Sequence, residues 1–388
     1  MKRIWTLWIL MFMMTSLFAC QIKIPENTPS PTLAPTPTPA ATPTLPDLLQ
    51  QMTTEEKVAQ LFILLPEALI AKKGFVTTVT PEIQDFLKRY PVGGVILFDA
   101  NIETPKQLKT LTKDLKSACQ FPMLLAIDEE GGRVAKIANN TNFDVPKYPF
   151  ILDLGQENNP LLALRLGQDI GMYLKEYGLN YNFAPVADVL SNPDNMVIGN
   201  RSFGSDPQMV AQMVTHTIAG LQEKGIGTCA KHFPGHGDTL SDTHEEQTVA
   251  SKTWKEMRNC ELIPFKAAIE QGVDSIMMGH MTTPNVTTDG LPASLSYEMV
   301  TQRLRKELGF DGLVVTDALN MGAITNYYSS KEAALKAFTA GCDLLLMPED
   351  FQEAYEGILQ AVKDGTISQE RLDESVLRIL TFKQKITN

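Results

Sequence analysis

Eight short apolar segments recur along this chain, and helical patterns fill the gaps between them. Buried strands that alternate with helices are typical of a parallel sheet built from βα units. Eight such units predict an α/β fold, a single-domain (β/α)8 barrel, with a doubly wound open sheet as the alternative. The segments are Leu61–Leu64, Val92–Phe98, Met123–Asp128, Leu179–Ala184, Gly227–His232, Ser275–His280, Gly312–Asp317 and Asp343–Met347.

Charged and polar residues stand at or just after the C-terminal ends of these segments. They are Asp128, Asp188, Lys231 with His232, His280 and Asp317. In a (β/α)8 barrel the C-terminal strand ends meet at one rim, where active sites lie. An open sheet would gather these residues less evenly, and the chain lacks the glycine fingerprint of dinucleotide-binding folds. The pattern therefore favours the barrel, with a functional site at its rim.

The N-terminal residues are predicted to lie outside the barrel. Residues 1–20 combine a basic start with an apolar stretch that ends in a small residue and a cysteine, as in a bacterial lipoprotein signal peptide. Cys20 is then the lipidation site, and a plain signal peptide cleaved near Ala19 is the alternative. Residues 21–46 are rich in Pro and Thr, which predicts a stiff, extended linker. Residues 47–388 form the barrel domain.

Overall charge and cysteine usage exclude several classes of function. The net charge of −11 and the pI near 5.1 argue against a nucleic-acid partner, because phosphate binding requires clustered Lys and Arg. The five cysteines show no spacing typical of a metal site, and four of them are expected to be small buried residues. We expect a monomer that is lipid-anchored outside the cytoplasm, on the cell membrane or the outer membrane.

The stretch Lys231–His244 holds three of the five histidines. Pro234 and Gly235 make a helix improbable there, so a strand end followed by a glycine-rich loop is predicted. Two functional interpretations remain open: a divalent metal site, or a proton-transfer pair in which Asp242 orients His244. Histidines that are merely solvated on a loop are the third possibility. The residues concerned are His232, His236, Asp238, Asp242 and His244.

Three other places could carry chemistry. Asp317 ends a buried strand and could be a nucleophile, a base, a metal ligand or only the cap of the next helix. In Asp128–Arg133 the acids could bind a hydroxyl-rich ligand, or Glu129 or Glu130 could simply pair with the arginine that ends the motif. Arg201 either binds a ligand or is a solvated surface residue.

Three motifs, taken together, are more specific than any of these single residues. They are Asp128–Val134, Lys231–Thr239 with Asp242–His244, and Val315–Leu319. Their residues and order resemble those of the glycoside hydrolase family 3 β-N-acetylglucosaminidases of the NagZ type. The resemblance runs from about Leu48 to the C-terminus.

This resemblance implies a barrel enzyme that removes non-reducing terminal N-acetylglucosamine with retention of configuration, through a covalent glycosyl-enzyme intermediate and with no metal or other cofactor. Asp317 aligns with the nucleophile, His244 with the general acid/base and Asp242 with its dyad partner. The implied substrate-binding residues are Asp128, Lys136, Arg201, Lys231 and His232. Lys136 replaces the arginine that is usual in the family, so the charge is kept but the planar fork is lost.

The expected partner is a glycan with terminal N-acetylglucosamine, from peptidoglycan or from chitooligosaccharides. A β-N-acetylglucosaminide phosphorylase is the nearest alternative, because a histidine in the acid role would not repel phosphate as a carboxylate would. A family 3 β-glucosidase, a metal-dependent hydrolase that uses the histidine-rich loop, and a sugar-binding surface lipoprotein without catalysis are the others.

Overall fold

Eight parallel strands lie at the positions of the eight predicted apolar segments. The computed structural model describes residues 44–71, 74–239, 243 and 245–387. Two further described strands, β4 and β5, form a separate antiparallel hairpin directly after β3. The described strands are β1 (Phe62–Leu64), β2 (Gly94–Leu97), β3 (Leu124–Ile127), β4 (Glu129–Gly131), β5 (Val134–Ala135), β6 (Tyr181–Asn182), β7 (Gly227–Phe233), β8 (Ser275–Met278), β9 (Leu313–Thr316) and β10 (Leu345–Leu346).

The parallel strands follow one another around the sheet in the order β10-β1-β2-β3-β6-β7-β8-β9. The sheet closes because Val315 in β9 forms a parallel bridge with Leu344, the residue before β10. Chain order and spatial order therefore agree, as in a (β/α)8 barrel. The predicted barrel is confirmed, and the doubly wound open sheet is wrong.

Helices cover the outside of the barrel. They are α1 (Leu45–Gln51), α2 (Thr54–Ala59), α3 (Pro81–Arg89), α4 (Pro105–Ala118), α5 (Ile151–Gln156), α6 (Pro160–Glu176), α7 (Pro207–Glu223), α8 (Trp254–Arg258), α9 (Leu262–Gln271), α10 (Gly322–Thr325), α11 (Ser330–Ala340), α12 (Phe351–Lys363) and α13 (Gln369–Thr387), with a π-helix at Glu298–Glu307. No described helix is long and apolar enough to cross a membrane.

Local sequence sets where these helices begin. Four of them start with a capping side chain followed directly by proline, which has the helical φ and lacks the N–H that would be unpaired. The pairs are Thr80–Pro81, Thr104–Pro105, Asn159–Pro160 and Asp206–Pro207. At the start of α7 the Asp206 side chain accepts from the Gln208 amide. At the start of α13, Ser368 accepts a hydrogen bond from the Arg371 amide at 3.2 Å.

The folded part begins slightly before the predicted boundary at residue 47. Thr44 caps α1, and a reciprocal capping box joins its backbone and side chain to Asp47. Helix α1 therefore takes in Leu45 and Pro46, the last two residues of the segment assigned to the linker. The signal peptide, Cys20 and the linker up to residue 43 lie outside the described residues.

Candidate active site

A cavity of about 300 Å³ opens at the C-terminal ends of the barrel strands. Apolar side chains such as Phe98, Met277 and Met347 form part of its wall. Its polar lining comes from four different βα units and consists of Asp128, Glu130, Lys136, Arg201, Lys231, His232, Asp317 and Asn320. A concave site with apolar walls and a few convergent polar groups is typical of a small-ligand pocket.

Four charged side chains form a hydrogen-bonded cluster on one side of this cavity. Lys231 Nζ donates to Asp128 Oδ1 at 2.5 Å and lies 2.7 Å from Glu130 Oε1. Arg201 donates two hydrogen bonds to the same Glu130, from Nη2 to Oε1 at 2.6 Å and from Nε to Oε2 at 2.9 Å. The Asp128 side chain is 21% exposed and that of Glu130 only 2%, so Asp128 is the acid that a ligand can reach.

The charges of this cluster stabilise one another. Burial alone would raise the pKa of Glu130, but Arg201 and Lys231 outweigh it and hold that pKa well below its ordinary value. Burial would lower the pKa of Lys231, and the adjacent Asp128 and Glu130 raise it instead. Glu130 and Lys231 therefore stay charged at neutral pH, so the cluster offers a rigid set of donors and acceptors to a polar ligand.

Strand geometry explains why Asp128 and Glu130 act together. Side chains alternate along an extended chain, so these two acids share one side and Glu129 occupies the other. Glu129 is buried and accepts from the amides of Ile137 and Ala138, at 3.0 and 2.9 Å, and from Tyr173 Oη at 2.8 Å. Burial raises the pKa of Glu129. It supports the loop and does not line the cavity.

The predicted alternative pairing of Glu129 or Glu130 with Arg133 is wrong. Arg133 Nη2 donates to the Val197 carbonyl at 2.7 Å instead. The turn between β4 and β5 turns the arginine away from the cluster, and its two glycines have φ of 95° and 59°. A Cβ on Gly132 would lie 2.8 Å from the Pro149 carbonyl oxygen, so the turn also packs tightly against the chain that follows it.

Arg201 and the two described loop histidines are buried rather than solvated, so these surface interpretations are wrong. The Arg201 side chain is 12% exposed, and His232 and His236 are 6% and 2% exposed. Asp188 organises both histidines: it accepts from His232 Nδ1 at 2.8 Å and from the His236 amide at 2.7 Å. A carboxylate only accepts, so the proton on His232 Nδ1 faces Asp188 and Nε2 remains for the cavity.

The loop that follows β7 lies close to the segment around Asp188. A Cβ on Gly237 would be 1.8 Å from the Val189 carbonyl oxygen, which only glycine avoids. The strand itself continues to Phe233, one residue past its predicted end, and no helix joins His232 to His236. Asp242 and His244 lie outside the described residues.

Asp317 follows β9 directly and lines the cavity. Its amide donates to the Met278 carbonyl at 2.9 Å, and its Oδ1 accepts from the Ala318 amide at 2.8 Å. The next helix, α10, begins after Met321 with no side-chain cap, so the helix-cap interpretation of Asp317 is wrong. The carboxylate is held by the barrel backbone on the same cavity as the charged cluster.

Lys136 lies at the edge of the cavity. Its Nζ is 2.9 Å from Asp99 Oδ2 and 5.6 Å from the centre of the Phe98 ring. The ammonium thus has an acidic partner and an aromatic surface beside it, and its side chain is 22% exposed. Among the described residues, no three His, Cys, Asp or Glu side chains are grouped so that they could hold a metal ion.

Residues 53–382 match the model of the glycosyl hydrolase family 3 N-terminal domain. The chain belongs to this family. A β-hexosaminidase A of Pseudoalteromonas piscicida is 33% identical over 335 residues, which are 80% of this chain and 56% of that protein. A β-hexosaminidase of Nitrosomonas eutropha is 37% identical over 286 residues, 72% of this chain and 80% of that one.

A solved structure of another member of this family is similar to the chain. The family 3 β-N-acetylglucosaminidase of Paenibacillus sp. str. FPU-7 superposes with a TM-score of 0.80 and 36% sequence identity. The match covers 87% of this chain and 63% of that one. The chain therefore spans little more than half of the Pseudoalteromonas relative and under two thirds of the Paenibacillus structure.

This family 3 domain brings together six residues singled out from the sequence, all on one cavity: Asp128, Lys136, Arg201, Lys231, His232 and Asp317. Two further residues of the site were not among the catalytic or substrate-binding residues that the resemblance implies. Glu130 pairs with Arg201 and Lys231. Its spacing of two residues from Asp128 was the sequence signal that could have placed it on the same side of the chain. Asp188 was noted only as a strand-end acid, because its partners are distant in sequence.

Proposed function

We propose that this glycosyl hydrolase family 3 member is a retaining exo-β-N-acetylglucosaminidase. One observation carries the proposal: Asp317 shares a cavity of about 300 Å³ with the Asp128–Lys231–Glu130–Arg201 cluster at the barrel rim. The pocket combines a rigid carboxylate with charged groups suited to hydroxyls, as a sugar site requires. The β-hexosaminidase relatives support N-acetylhexosamine as the sugar.

In the first proposed step, a carboxylate oxygen of Asp317 attacks the anomeric carbon. His244 gives a proton to the glycosidic oxygen, the bond to the aglycone breaks, and a glycosyl ester forms on Asp317. In the second step His244 takes a proton from water, whose oxygen attacks the anomeric carbon and releases Asp317. Asp242 orients the imidazole and stabilises its charged form. The roles of Asp242 and His244 rest on the sequence motif.

The charged cluster has a binding role in this scheme. Asp128 accepts hydrogen bonds from sugar hydroxyls, while Lys231 and Arg201 donate to sugar oxygens from positions fixed by Glu130. His232 presents Nε2 to the same space. Because these groups are already ordered by their buried partners, the sugar is bound without a large loss of side-chain entropy.

Hydrolysis of aryl N-acetylglucosaminide and aryl glucoside, each with and without phosphate, tests the proposal. We expect release of free N-acetylglucosamine at a rate that phosphate and a chelator do not change, and much slower cleavage of the glucoside. Asp317→Asn should lower kcat by a factor of about 10³ or more, since the nucleophile is lost. A sugar 1-phosphate product would identify a phosphorylase, and equal rates on both sugars would contradict the assigned specificity.

We also propose that the chain acts outside the cytoplasm, tethered through lipid on Cys20, on peptidoglycan fragments or chitooligosaccharides. The lipoprotein-type signal and the Pro/Thr-rich linker are the support. Metabolic labelling with palmitate should mark the full chain and fail with Cys20→Ser. Labelling that survives this substitution would contradict the anchor. Rates on chitobiose and on a muropeptide disaccharide, measured side by side, distinguish the two substrate classes.

A further inference from the structure

His236 is a buried histidine near the cavity that the proposed mechanism does not use. It does not line the cavity, yet its ring contacts two hydroxyls. Nδ1 lies 2.7 Å from Thr239 Oγ1, and Nε2 lies 3.2 Å from Thr243 Oγ1. A neutral imidazole has one donor and one acceptor, and each threonine hydroxyl can serve as either. The ring thus joins two residues of the loop that follows β7.

The backbone of His236 is fixed as firmly as its ring. Its amide donates to Asp188 Oδ1 at 2.7 Å, and its carbonyl accepts from Asn195 Nδ2 at 2.7 Å. Burial, and then the adjacent His232, lower the pKa of His236, so the ring is neutral at neutral pH and keeps its acceptor. His236 is therefore an immobile point tied to the same carboxylate that orients His232.

Thr243 is held from two sides. Its hydroxyl contacts His236, and its carbonyl accepts from the Ala323 amide at 3.2 Å in α10, the helix that follows Asp317. Thr243 is only 2% exposed. In the sequence it stands between Asp242 and His244, the two residues of the proposed dyad.

We infer that His236 is a positioning residue for the proton-transfer steps and that it acts through the Thr243 hydroxyl. The inference rests on the proposed function, because it takes His244 as the group that protonates the leaving oxygen. His236 touches neither the sugar nor the reacting atoms. Its effect is confined to steps in which the dyad transfers a proton, and sugar binding in the cavity does not depend on it.

The test uses substrates that need the acid to different degrees. A 2,4-dinitrophenyl leaving group departs without protonation, whereas a 4-methylumbelliferyl group is helped by it, and kcat/KM reports the first step. In the full-length protein, Thr243→Val and His236→Ala should lower kcat/KM for the methylumbelliferyl substrate by about tenfold, part of the usual contribution of a general acid. The dinitrophenyl value should stay within about twofold, since that substrate needs no acid.

Matched variants separate positioning from folding. Thr243→Ser keeps the hydroxyl and should retain the wild-type ratio of the two rates. His216→Ala removes a half-buried histidine on α7 that does not line the cavity, and it should change neither rate. Equal losses on both substrates, or a Thr243→Ser variant as impaired as Thr243→Val, would overturn the inference. His244→Ala is the reference: if it shows no leaving-group dependence, the acid/base assignment fails and the inference falls with it.

Discussion

Glu130 is buried between two cations, and Glu130→Gln tests how much of the site depends on that one charge. The substitution keeps the shape and one acceptor oxygen, but Arg201 loses the carboxylate that accepts its two hydrogen bonds, and Lys231 loses one of its two acidic partners. The side chains of Arg201 and Lys231 are 12% and 3% exposed, so water does not replace the lost charge. The cluster changes from two acids and two bases to one acid and two bases.

Breaking a buried ion pair by removing one partner costs about 3–5 kcal/mol, because the remaining charge is left unpaired. For a folded domain of roughly 340 residues, 1 kcal/mol corresponds to about 1.4 °C in Tm. We therefore expect Glu130→Gln to lower Tm by about 4–7 °C. Exposed Glu374 on α13 provides the control, and Glu374→Gln should leave Tm unchanged.

The pH dependence gives a sharper check. The folded-state pKa of Glu130 is held well below its ordinary value, so its contribution is complete above that ordinary value and is lost as pH falls. The difference in unfolding free energy between wild type and Glu130→Gln should be constant from about pH 6 to 8. Below about pH 4 it should shrink by about 1.4 kcal/mol per pH unit. Denaturant unfolding across this range measures it, and a difference that grows on acidification would refute the reasoning.

Three further changes test other parts of the structure. Gly155→Ala should destabilise the fold by about 1–3 kcal/mol or more, because the added Cβ would lie 1.6 Å from the Phe203 carbonyl oxygen. Denaturant unfolding measures this, and an unchanged unfolding midpoint would contradict that packing. Asp188→Asn should lower kcat/KM by about 10- to 100-fold, because the His232 ring, which faces the sugar in the proposed scheme, loses the carboxylate that orients it. Full activity would exclude this orienting role. Lys136→Met should raise KM by about tenfold with kcat almost unchanged, since the family resemblance assigns this lysine to substrate binding and not to the reacting atoms. An unchanged KM would mean that the ion pair with Asp99 keeps Lys136 away from the substrate.

The sequence predicted the barrel well because its signal is local and repeated. Each buried strand is an uninterrupted apolar segment, and parallel strands covered on both faces produce that pattern. The strand ends were predicted less well: in the structure β6 covers only Tyr181–Asn182, whereas the predicted apolar segment runs from Leu179 to Ala184. Pairing depends on the geometry of neighbouring strands, which apolar character alone does not specify.

The site was predictable as a set of residues but not as a set of contacts. Strand-end position was enough to place Asp128, Lys231 and Asp317 on one rim. It could not show that Glu130 pairs with Arg201, which is 71 positions away, rather than with the nearby Arg133. Such partners are brought together by barrel closure, so only the fold identifies them.

Trapping the glycosyl-enzyme tests the central claim most directly. A 5-fluoro analogue of the N-acetylglucosaminide, with an activated leaving group, slows the second step and allows the intermediate to accumulate. Digestion and mass spectrometry of the inactivated protein then locate the sugar. We predict one added glycosyl group per chain, on the peptide that contains Asp317 and absent from Asp317→Asn. A label on any other residue, or an active preparation that never accumulates one, would contradict the account.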